Sequence, residues 1–260
     1  MAPRRVYDAS RGVVPVALDL ETDGLGANAK LIQIAAHSMQ FGSFSTYVQI
    51  SKLDAKITEL TGISLSDTAT GLSPRSAICA LFKFLNSVST SSGLATSLLA
   101  YNGFDFDFPV LAKACASAKL SYHDMCERNG VAQELDVLLF ARRFILPGIL
   151  PHTASGQPIW KLTAVHTALF GKTFASSHNA VADTAATLRV AEAIVEKYNT
   201  PPLDGTHTAS YVRMVARPPV KSRQAKRARS PPAAEDRMER VAEIAVGGIS
   251  DFLIRLHNLH

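Results

Sequence analysis

Three apolar stretches near the N-terminus predict consecutive β-strands. Residues 13–21 form an almost continuous, valine-rich apolar run, which is the pattern of a strand buried on both faces. Asp-Gly and Leu-Gly at 23–26 then break the run. Residues 31–36 and 44–50 predict two further strands, the second with alternating apolar and polar positions. Three strands in succession predict an antiparallel meander.

Helical spacing takes over after residue 72. Ser73 and Pro74 are typical of an N-cap followed by the first residue of a helix. A stretch rich in Ser, Thr and Gly at 87–97 is predicted to end the helix, and a short buried strand is predicted at 98–101. Its apolar positions recur at spacings of three and four residues, at Ala77, Ile78, Leu81, Phe82 and Leu85.

The remaining globular part mixes strand and helix. Residues 108–118 are predicted to be helical after Pro109, and residues 133–142 form a strand-to-helix passage whose boundary the pattern leaves open. Residues 162–170 and 179–198 both have helical spacing, and the second is a long, alanine-rich core helix.

Composition divides the chain into four segments. Residues 1–12 form an N-terminal leader, and residues 13–200 form the globular domain. Residues 201–236 are rich in Pro, Arg and Lys, which is the composition of a disordered linker. Residues 237–260 carry an apolar stripe at helical period, so we expect an amphipathic helix that docks on the domain or binds a protein partner.

The basic charge of the protein lies mainly in its tail. The chain has 260 residues, of which 47% are apolar and 19% charged, enough for one sizeable core. Residues 1–200 carry 17 Lys and Arg against 16 Asp and Glu, whereas residues 201–260 carry 10 against 6. Nucleic-acid affinity in the main domain must therefore come from local contacts and bound cations. Residues 221–229 are interpreted as a nuclear import signal, a phosphate-binding strip or a solvated charge run.

Cysteine usage and hydropathy favour an intracellular protein. Cys79, Cys115 and Cys126 form no CxxC pair, so neither a disulfide framework nor a zinc cluster is indicated, and a reducing compartment is expected. No apolar run reaches the roughly 18 residues of a membrane span. We therefore expect no membrane partner, and a location in the nucleus or cytosol.

Three short motifs carry candidate chemistry. Asp19 and Glu21 lie two residues apart at the end of the first strand, so their side chains point to one face. Two acids in one buried place repel each other unless a cation lies between them. The alternative is a strand end at which both acids meet solvent.

The second motif is Asn102-Gly-Phe-Asp-Phe-Asp-Phe-Pro-Val-Leu111, in which Asp105 and Asp107 lie at the turn into a helix. A helix N-cap is an alternative role that suits Asp107. Charge alone does not separate the two aspartates.

The third motif joins His178 and Asp183. Five residues at about 100° each would place them on different faces of one helix, so we expect the histidine on the preceding loop and the aspartate facing inward. Ser177 or Asn179 can cap that helix. A structural histidine near a helix start is the alternative.

Together the motifs contain the parts of a metal-dependent phosphodiesterase. Two divalent ions roughly 3.5–4 Å apart can clamp a phosphodiester. Mg²⁺ takes oxygen ligands, so a few carboxylates suffice, and a histidine with a near-neutral pKa can accept the proton of the attacking water.

The motifs DLETDGL, NGFDFDFPVL and HNAVAD resemble, in type, order and separation, those of the DnaQ-like, DEDDh class of 3′-to-5′ exonucleases over residues 13–198. Residues 57–64 resemble the "I…TGI" segment of that family. Within the class, Asp107-Phe-Pro and the passage from Trp160 to His178 are most similar to the three-prime repair exonucleases.

The resemblance implies a role for each site residue. It places the metal-binding acids at the four positions that match the family motifs, with Asp107 chosen over Asp105. It makes His178 the general base and implies that Leu25 wedges against the terminal nucleobase. Thr22 and Asn102, in the same motifs, are predicted to bind substrate. The four metal-binding acids are Asp19, Glu21, Asp107 and Asp183.

The resemblance also implies the fold, cofactors and partners. The fold is α/β and ribonuclease-H-like, with a central mixed sheet whose first three strands are antiparallel and with helices on both faces. Two Mg²⁺ ions per site are expected, with Mn²⁺ as a substitute. The expected partners are nucleic acid 3′ ends, with single-stranded DNA favoured and RNA as the rival, and a homodimer is one option. Asp23 and Gln33 differ from the residues that are common at these positions in the family. Neither difference alters the four acids or His178.

Overall fold

The computed structural model describes residues 13–24, 29–174, 179–198 and 212–215. The strands are β1 (Val13–Thr22), β2 (Leu31–Ser38), β3 (Gly42–Tyr47), β4 (Ala95–Ala100), β5 (Val131–Asp136) and β6 (Val212–Met214). The helices are α1 (Ala55–Thr61), α2 (Leu65–Ala69), α3 (Pro74–Ser92), α4 (Asp107–Ser117), α5 (Tyr122–Arg128), α6 (Val137–Phe144), α7 (Leu162–Phe170) and α8 (Ala180–Tyr198). None of the helices in these ranges has both the length and the apolar character needed to cross a bilayer.

The six strands form one mixed sheet in the order β3-β2-β1-β4-β5-β6. The first three strands pair antiparallel, as the sequence predicts, with Asp19 of β1 opposite Ala35 of β2. β1 pairs parallel with β4, and β4 pairs parallel with β5. β1 is therefore a central strand with a hydrogen-bonded neighbour on each side, which fixes the position of every side chain along it.

Side chains alternate across β1, so each face of the sheet has its own core. Val14, Val16, Leu18 and Leu20 of β1 pack toward α3, α4 and α5. Ala17 lies on the opposite face, in a cluster with residues of α6, α7 and α8. Burying a side chain as fully as that of Leu18, which has no exposed surface, contributes about 1.5–3 kcal/mol. The predicted helices on both faces are confirmed.

The helix that begins at Pro74 is longer than the sequence predicts. It continues to Ser92 and ends at Gly93, whose φ of 71° is the left-handed conformation of a C-cap. Val88 and Ser89 lie on its buried face, so packing keeps residues 87–92 helical in spite of their weak propensity. The prediction that residues 87–97 end the helix is wrong for its first half, and β4 begins at 95 instead of 98.

β6 lies within residues 201–236, which the sequence assigns to a disordered linker, and for these three residues the prediction is wrong. Val212 pairs with Leu135 and Arg213 with Glu134, antiparallel to β5. Val212 is buried in the core of the α8 face. The basic composition suggested a solvated tail, but the side chain of Arg213 pairs with the buried carboxylate of Glu134 in the sheet. Residues 1–12, 237–260 and the rest of 201–236 lie outside the described residues, and their assignments stay predictions.

A tight turn connects β4 to α4. Asn102 has a φ of 61°, a left-handed conformation that asparagine tolerates better than most residues. Its carbonyl oxygen accepts hydrogen bonds from the amides of Asp105 and Phe106. Gly103 is buried below the turn, where a Cβ atom would lie 2.6 Å from Ala100 Cβ and 2.6 Å from Phe108 Cε2. The turn therefore requires a residue without a side chain at 103.

We expect Gly103→Ala to lower the free energy of unfolding by about 1–3 kcal/mol, because the added methyl overpacks the turn. The measurement is urea denaturation followed by circular dichroism. Gly148→Ala is the matched control, since a Cβ there meets nothing within 4 Å. A Gly103→Ala protein as stable as the Gly148→Ala protein would show that the turn has room to adjust.

Candidate active site

The end of β1 carries the first two acids of the site. Asp19 and Glu21 alternate with Leu18 and Leu20, so both carboxylates lie on the side of the sheet that faces α8. Antiparallel pairing to β2 continues through both residues, with Gln33 opposite Glu21. The two acids thus lie on one face of the sheet, as the sequence predicts.

Asp183 brings a third carboxylate to the same place from α8. It lies in the first turn of that helix, which packs across β1 and β2. One carboxylate oxygen from each of Asp19, Glu21 and Asp183 lies within 4.8 Å of the others. Three oxygen ligands at such separations fit a hard divalent cation.

Asp107 approaches β1 from the first residue of α4. Its side chain is 3% exposed, and its Oδ1 accepts a hydrogen bond from the Leu20 amide at 3.1 Å, between the two acids of β1. Asp105 is exposed. Asp107 is therefore not the N-cap that the sequence left open, since Phe106 holds that position. The difference in burial therefore distinguishes the two aspartates, which their charge alone could not do.

Crowding and burial make the negative charges of the site costly. Burial raises the pKa of Asp19 well above its usual range, and the charges of Asp107, Asp183 and Glu21 raise it further. Burial and the charge of Asp183 raise the pKa of Glu21 to about 7. Burial also raises the pKa of Asp107, although hydrogen bonds from backbone amides partly oppose the effect. A divalent cation would relieve this repulsion, and the donor set of oxygens alone suits Mg²⁺ or Mn²⁺.

Two predicted site residues, His178 and Leu25, lie outside the described residues. The neighbours of His178 are described: the side-chain oxygen of Asn179 accepts hydrogen bonds from the amides of Val181 and Ala182 at 3.1 and 3.4 Å and so caps α8. Of the two predicted caps, Asn179 is the one observed. His178 therefore precedes the capping residue in sequence, ahead of the turn that carries Asp183.

Thr22 and Asn102 both have structural roles in segments next to the site acids. Thr22 is 7% exposed, and its hydroxyl donates a hydrogen bond to the Gly24 carbonyl at 2.8 Å. Asn102 is half-buried and forms the left-handed start of the turn that leads to Asp107. Their predicted contact with substrate stays a prediction.

Sequence reasoning missed Asp136, which supports the site from β5. Its side chain is 1% exposed. Oδ2 accepts a hydrogen bond from the Phe104 amide and Oδ1 one from the Leu139 amide, each at 3.0 Å. One carboxylate thus caps α6 and holds the turn that precedes Asp107. The signal was present, since an aspartate directly before a helical run is an N-cap pattern.

Comparisons with known proteins agree with this geometry. The model of the exonuclease family (RNase_T) matches residues 16–191, a range that contains all four acids. No curated protein sequence matches the chain at a significant level.

Solved structures of exonuclease I are among those that match. They include the E. coli enzyme in complex with a dA16 oligonucleotide (20% identity, TM-score 0.58, covering 71% of this chain and 41% of that one). They also include the zinc-bound E. coli enzyme with single-stranded DNA (19% identity, TM-score 0.58, covering 71% of this chain and 41% of that one). A third is the complex of exonuclease I with SSB-Ct (19% identity, TM-score 0.57, covering 72% and 41%). This chain spans about two fifths of the length of those proteins, and the likeness confirms the ribonuclease-H-like fold. Because the family model matches residues 16–191, more than half of the chain, the chain belongs to the exonuclease family.

Proposed function

We propose that this protein is a metal-dependent exonuclease that removes nucleotides from the 3′ ends of DNA and releases nucleoside 5′-monophosphates. The observation that carries the proposal is the convergence of carboxylate oxygens from Asp19, Glu21 and Asp183 within 4.8 Å, in a domain of the exonuclease family. Buried Asp107 adds a fourth acid against the same strand.

Two Mg²⁺ ions, or Mn²⁺ in their place, are the proposed cofactors, with all four acids as their ligands. The donor set supports this assignment, because crowded carboxylates with raised pKa values are stabilised by a divalent cation. Bound ions supply positive charge to the phosphoryl oxygens and to the departing 3′ oxygen. One of the similar exonuclease I structures is a zinc-bound form, so a divalent cation is present in that relative.

His178 is the proposed general base. In the hydrolysis, water attacks phosphorus, a new P–O bond forms, the bond from phosphorus to the 3′ oxygen of the next nucleotide breaks, and that nucleotide keeps a new 3′-hydroxyl. The imidazole accepts the proton of the attacking water, which a histidine with a pKa near neutrality can do. Its position directly ahead of the α8 cap, five residues before Asp183, supports this role.

The proposed substrate contacts come from the rim of the site. Leu25 wedges against the terminal nucleobase, while Thr22 and Asn102 bind the terminal nucleotide. Single-stranded DNA is the proposed polymer, supported by the oligonucleotides bound in the similar exonuclease I structures. RNA is the rival substrate, because the 2′-hydroxyl contacts that separate the polymers do not depend on the four acids.

A second candidate function gives the tail the main role, as an adaptor or an intracellular address. Residues 221–229 would then be a nuclear import signal and residues 237–260 a partner-binding helix. Truncating the chain at Thr200 would not test the tail alone, because it would also remove β6 from the sheet. A truncation after Ala216 leaves β6 in place, so altered location or complex formation with unchanged nuclease activity would favour the tail.

We expect the protein to degrade a 5′-labelled DNA oligonucleotide into a ladder of shortened products only when Mg²⁺ or Mn²⁺ is present. EDTA should stop the reaction, and a 3′-labelled oligonucleotide should lose its label as mononucleotide at once. The measurement is gel electrophoresis of matched single-stranded DNA and RNA. Faster loss of RNA would overturn the substrate assignment, and internal cleavage would overturn the exonuclease polarity.

We expect Asp107→Asn to lower kcat by more than about 100-fold, because the change removes a proposed metal ligand and even outer-shell partners are worth 10–100-fold. Asp105→Asn is the matched control, with the same substitution two residues away on an exposed side chain. It should keep at least about half of the wild-type rate, since exposed polar changes cost little. Similar losses in both variants would show that the assignment of Asp107 over Asp105 is wrong.

We expect the metal-free protein to lose stability as the pH rises. The folded-state pKa of Glu21 is about 7 against an ordinary value of 4.5, so the folded state holds a proton that the unfolded state releases. Its contribution is present below about pH 4.5 and is lost as the pH rises through 7, a loss of about 3 kcal/mol.

Thermal unfolding in EDTA between pH 5 and 8 measures this loss. Asp183→Asn should raise Tm at pH 8 in EDTA, because it removes a charge that repels Asp19 and Glu21. In Mg²⁺ the wild type should gain more stability than this variant. A wild-type Tm that rises toward pH 8 in EDTA would contradict the repulsion.

A further inference from the structure

Arg213 of β6 connects the tail of the chain to the turn that precedes Asp107. Its Nε donates a hydrogen bond to Glu134 Oε2 at 2.6 Å, and its Nη2 forms an ion pair with the same oxygen. The guanidinium carbon also lies 4.8 Å from the centre of the Phe104 ring, in a cation–π contact. One side chain therefore touches both the buried acid of β5 and the turn.

The Glu134 carboxylate that binds Arg213 is itself held in place. Its side chain has no exposed surface, and its other oxygen, Oε1, accepts a hydrogen bond from the Tyr122 hydroxyl at 2.6 Å. Burial raises the pKa of Tyr122 well above its usual range, so the phenol stays protonated and donates. A buried carboxylate with both oxygens bonded holds the guanidinium in one place.

Phe104 is held from three directions. Its amide donates a hydrogen bond to Asp136 Oδ2 at 3.0 Å. Its ring packs against Phe108 with 5.8 Å between ring centres, and Arg213 covers the ring on β6. Because Glu134 and Asp136 are two residues apart on β5, one strand anchors both the guanidinium and the backbone of the turn.

Backbone hydrogen bonds on both sides of Asp107 connect it to the turn that contains Phe104. The Phe108 amide donates to the Gly103 carbonyl at 2.9 Å, and the Phe106 amide donates to the Asn102 carbonyl at 3.1 Å. Asp107 lies between these bonded residues and directs its carboxylate to the Leu20 amide. A shift of Phe104 therefore moves the acid relative to Asp19 and Glu21.

We propose that Arg213 is a positioning residue of the nuclease site, through which β6 holds Phe104 and hence Asp107 in the geometry that binds the divalent cation. The inference rests on the proposed function. It assigns to the chain beyond α8 a part in catalysis that the four acids alone do not include.

The test uses the full-length chain with Arg213→Ala and Arg213→Lys. Lysine keeps the charge beside Glu134 but lacks the planar group that stacks on Phe104. Arg128→Ala, which alters an exposed arginine in the last turn of α5, is the matched control. The readouts are kcat and KM on single-stranded DNA, the half-saturating Mg²⁺ concentration, Tm, and the Mn²⁺ concentration that gives half of the metal-induced rise in Tm.

Arg213→Ala should raise the half-saturating Mg²⁺ and Mn²⁺ concentrations and lower kcat, each by roughly 10-fold, the low end of outer-shell effects. KM for DNA should stay within about two-fold, because substrate contacts are unchanged. The metal midpoints and kcat of Arg213→Lys should lie between those of Arg213→Ala and the wild type. If Arg213→Ala does not fold, Arg213→Lys serves as the test. In an Asp107→Asn background, Arg213→Ala should produce no further shift in the Mn²⁺ midpoint, because the two residues act through one path.

A lower Tm with unchanged Mg²⁺ and Mn²⁺ midpoints would overturn the proposal and leave Arg213 as a fastener of β6. A salt-dependent rise in KM with unchanged metal midpoints would also overturn it, in favour of a phosphate contact. Failure of the proposed function looks different, because the wild type would then lack nuclease activity. The Mn²⁺ midpoints, which need no substrate, would still report whether Arg213 positions Asp107.

Discussion

Mutual repulsion of buried carboxylates is the constraint on which the structure depends. Asp19, Glu21, Asp107 and Asp183 would separate if their backbones were free to move, because Asp107, Asp183 and Glu21 raise the cost of charging Asp19, and Asp183 raises that of charging Glu21. At neutral pH the raised pKa of Glu21, about 7 against an ordinary 4.5, corresponds to about 3 kcal/mol held against folding. The fold tolerates this cost because β1 has a paired strand on each side and a packed core on each face. Stability elsewhere in the domain therefore supports the site.

Asp19 and Glu21, Asp105 and Asp107, and Glu134 and Asp136 are pairs of acids with one residue between them, and the sequence does not show how different these pairs are. Asp19 and Glu21 both face the site because a strand alternates regularly. In the second pair only Asp107 turns inward, since the turn at Gly103 and the start of α4 decide its direction. In the third pair, Glu134 and Asp136 support strands and turns. Alternation is local and could be predicted, whereas the other two outcomes depend on contacts with distant residues.

The same limit explains which elements were predicted and which were not. α7 and the start of α3 follow from apolar spacing and capping residues, which are local signals. The extension of α3 to Ser92 depends on core packing of Val88 and Ser89, and β6 depends on a partner almost eighty residues away in sequence. Composition described the tail correctly as basic and proline-rich. It could not show that one arginine in the tail neutralises a buried acid.

A strand as short as β6 also affects how the protein behaves toward other chains. The outer strand of a sheet exposes unpaired backbone groups, which another polypeptide can use as a template for aggregation. β5 is a fully buried, parallel strand that would otherwise present such an edge. Three residues, one of them charged and partly exposed, cover that edge while offering little length for a further strand to pair with. The segment that meets the buried acid thus also protects the sheet from uncontrolled growth.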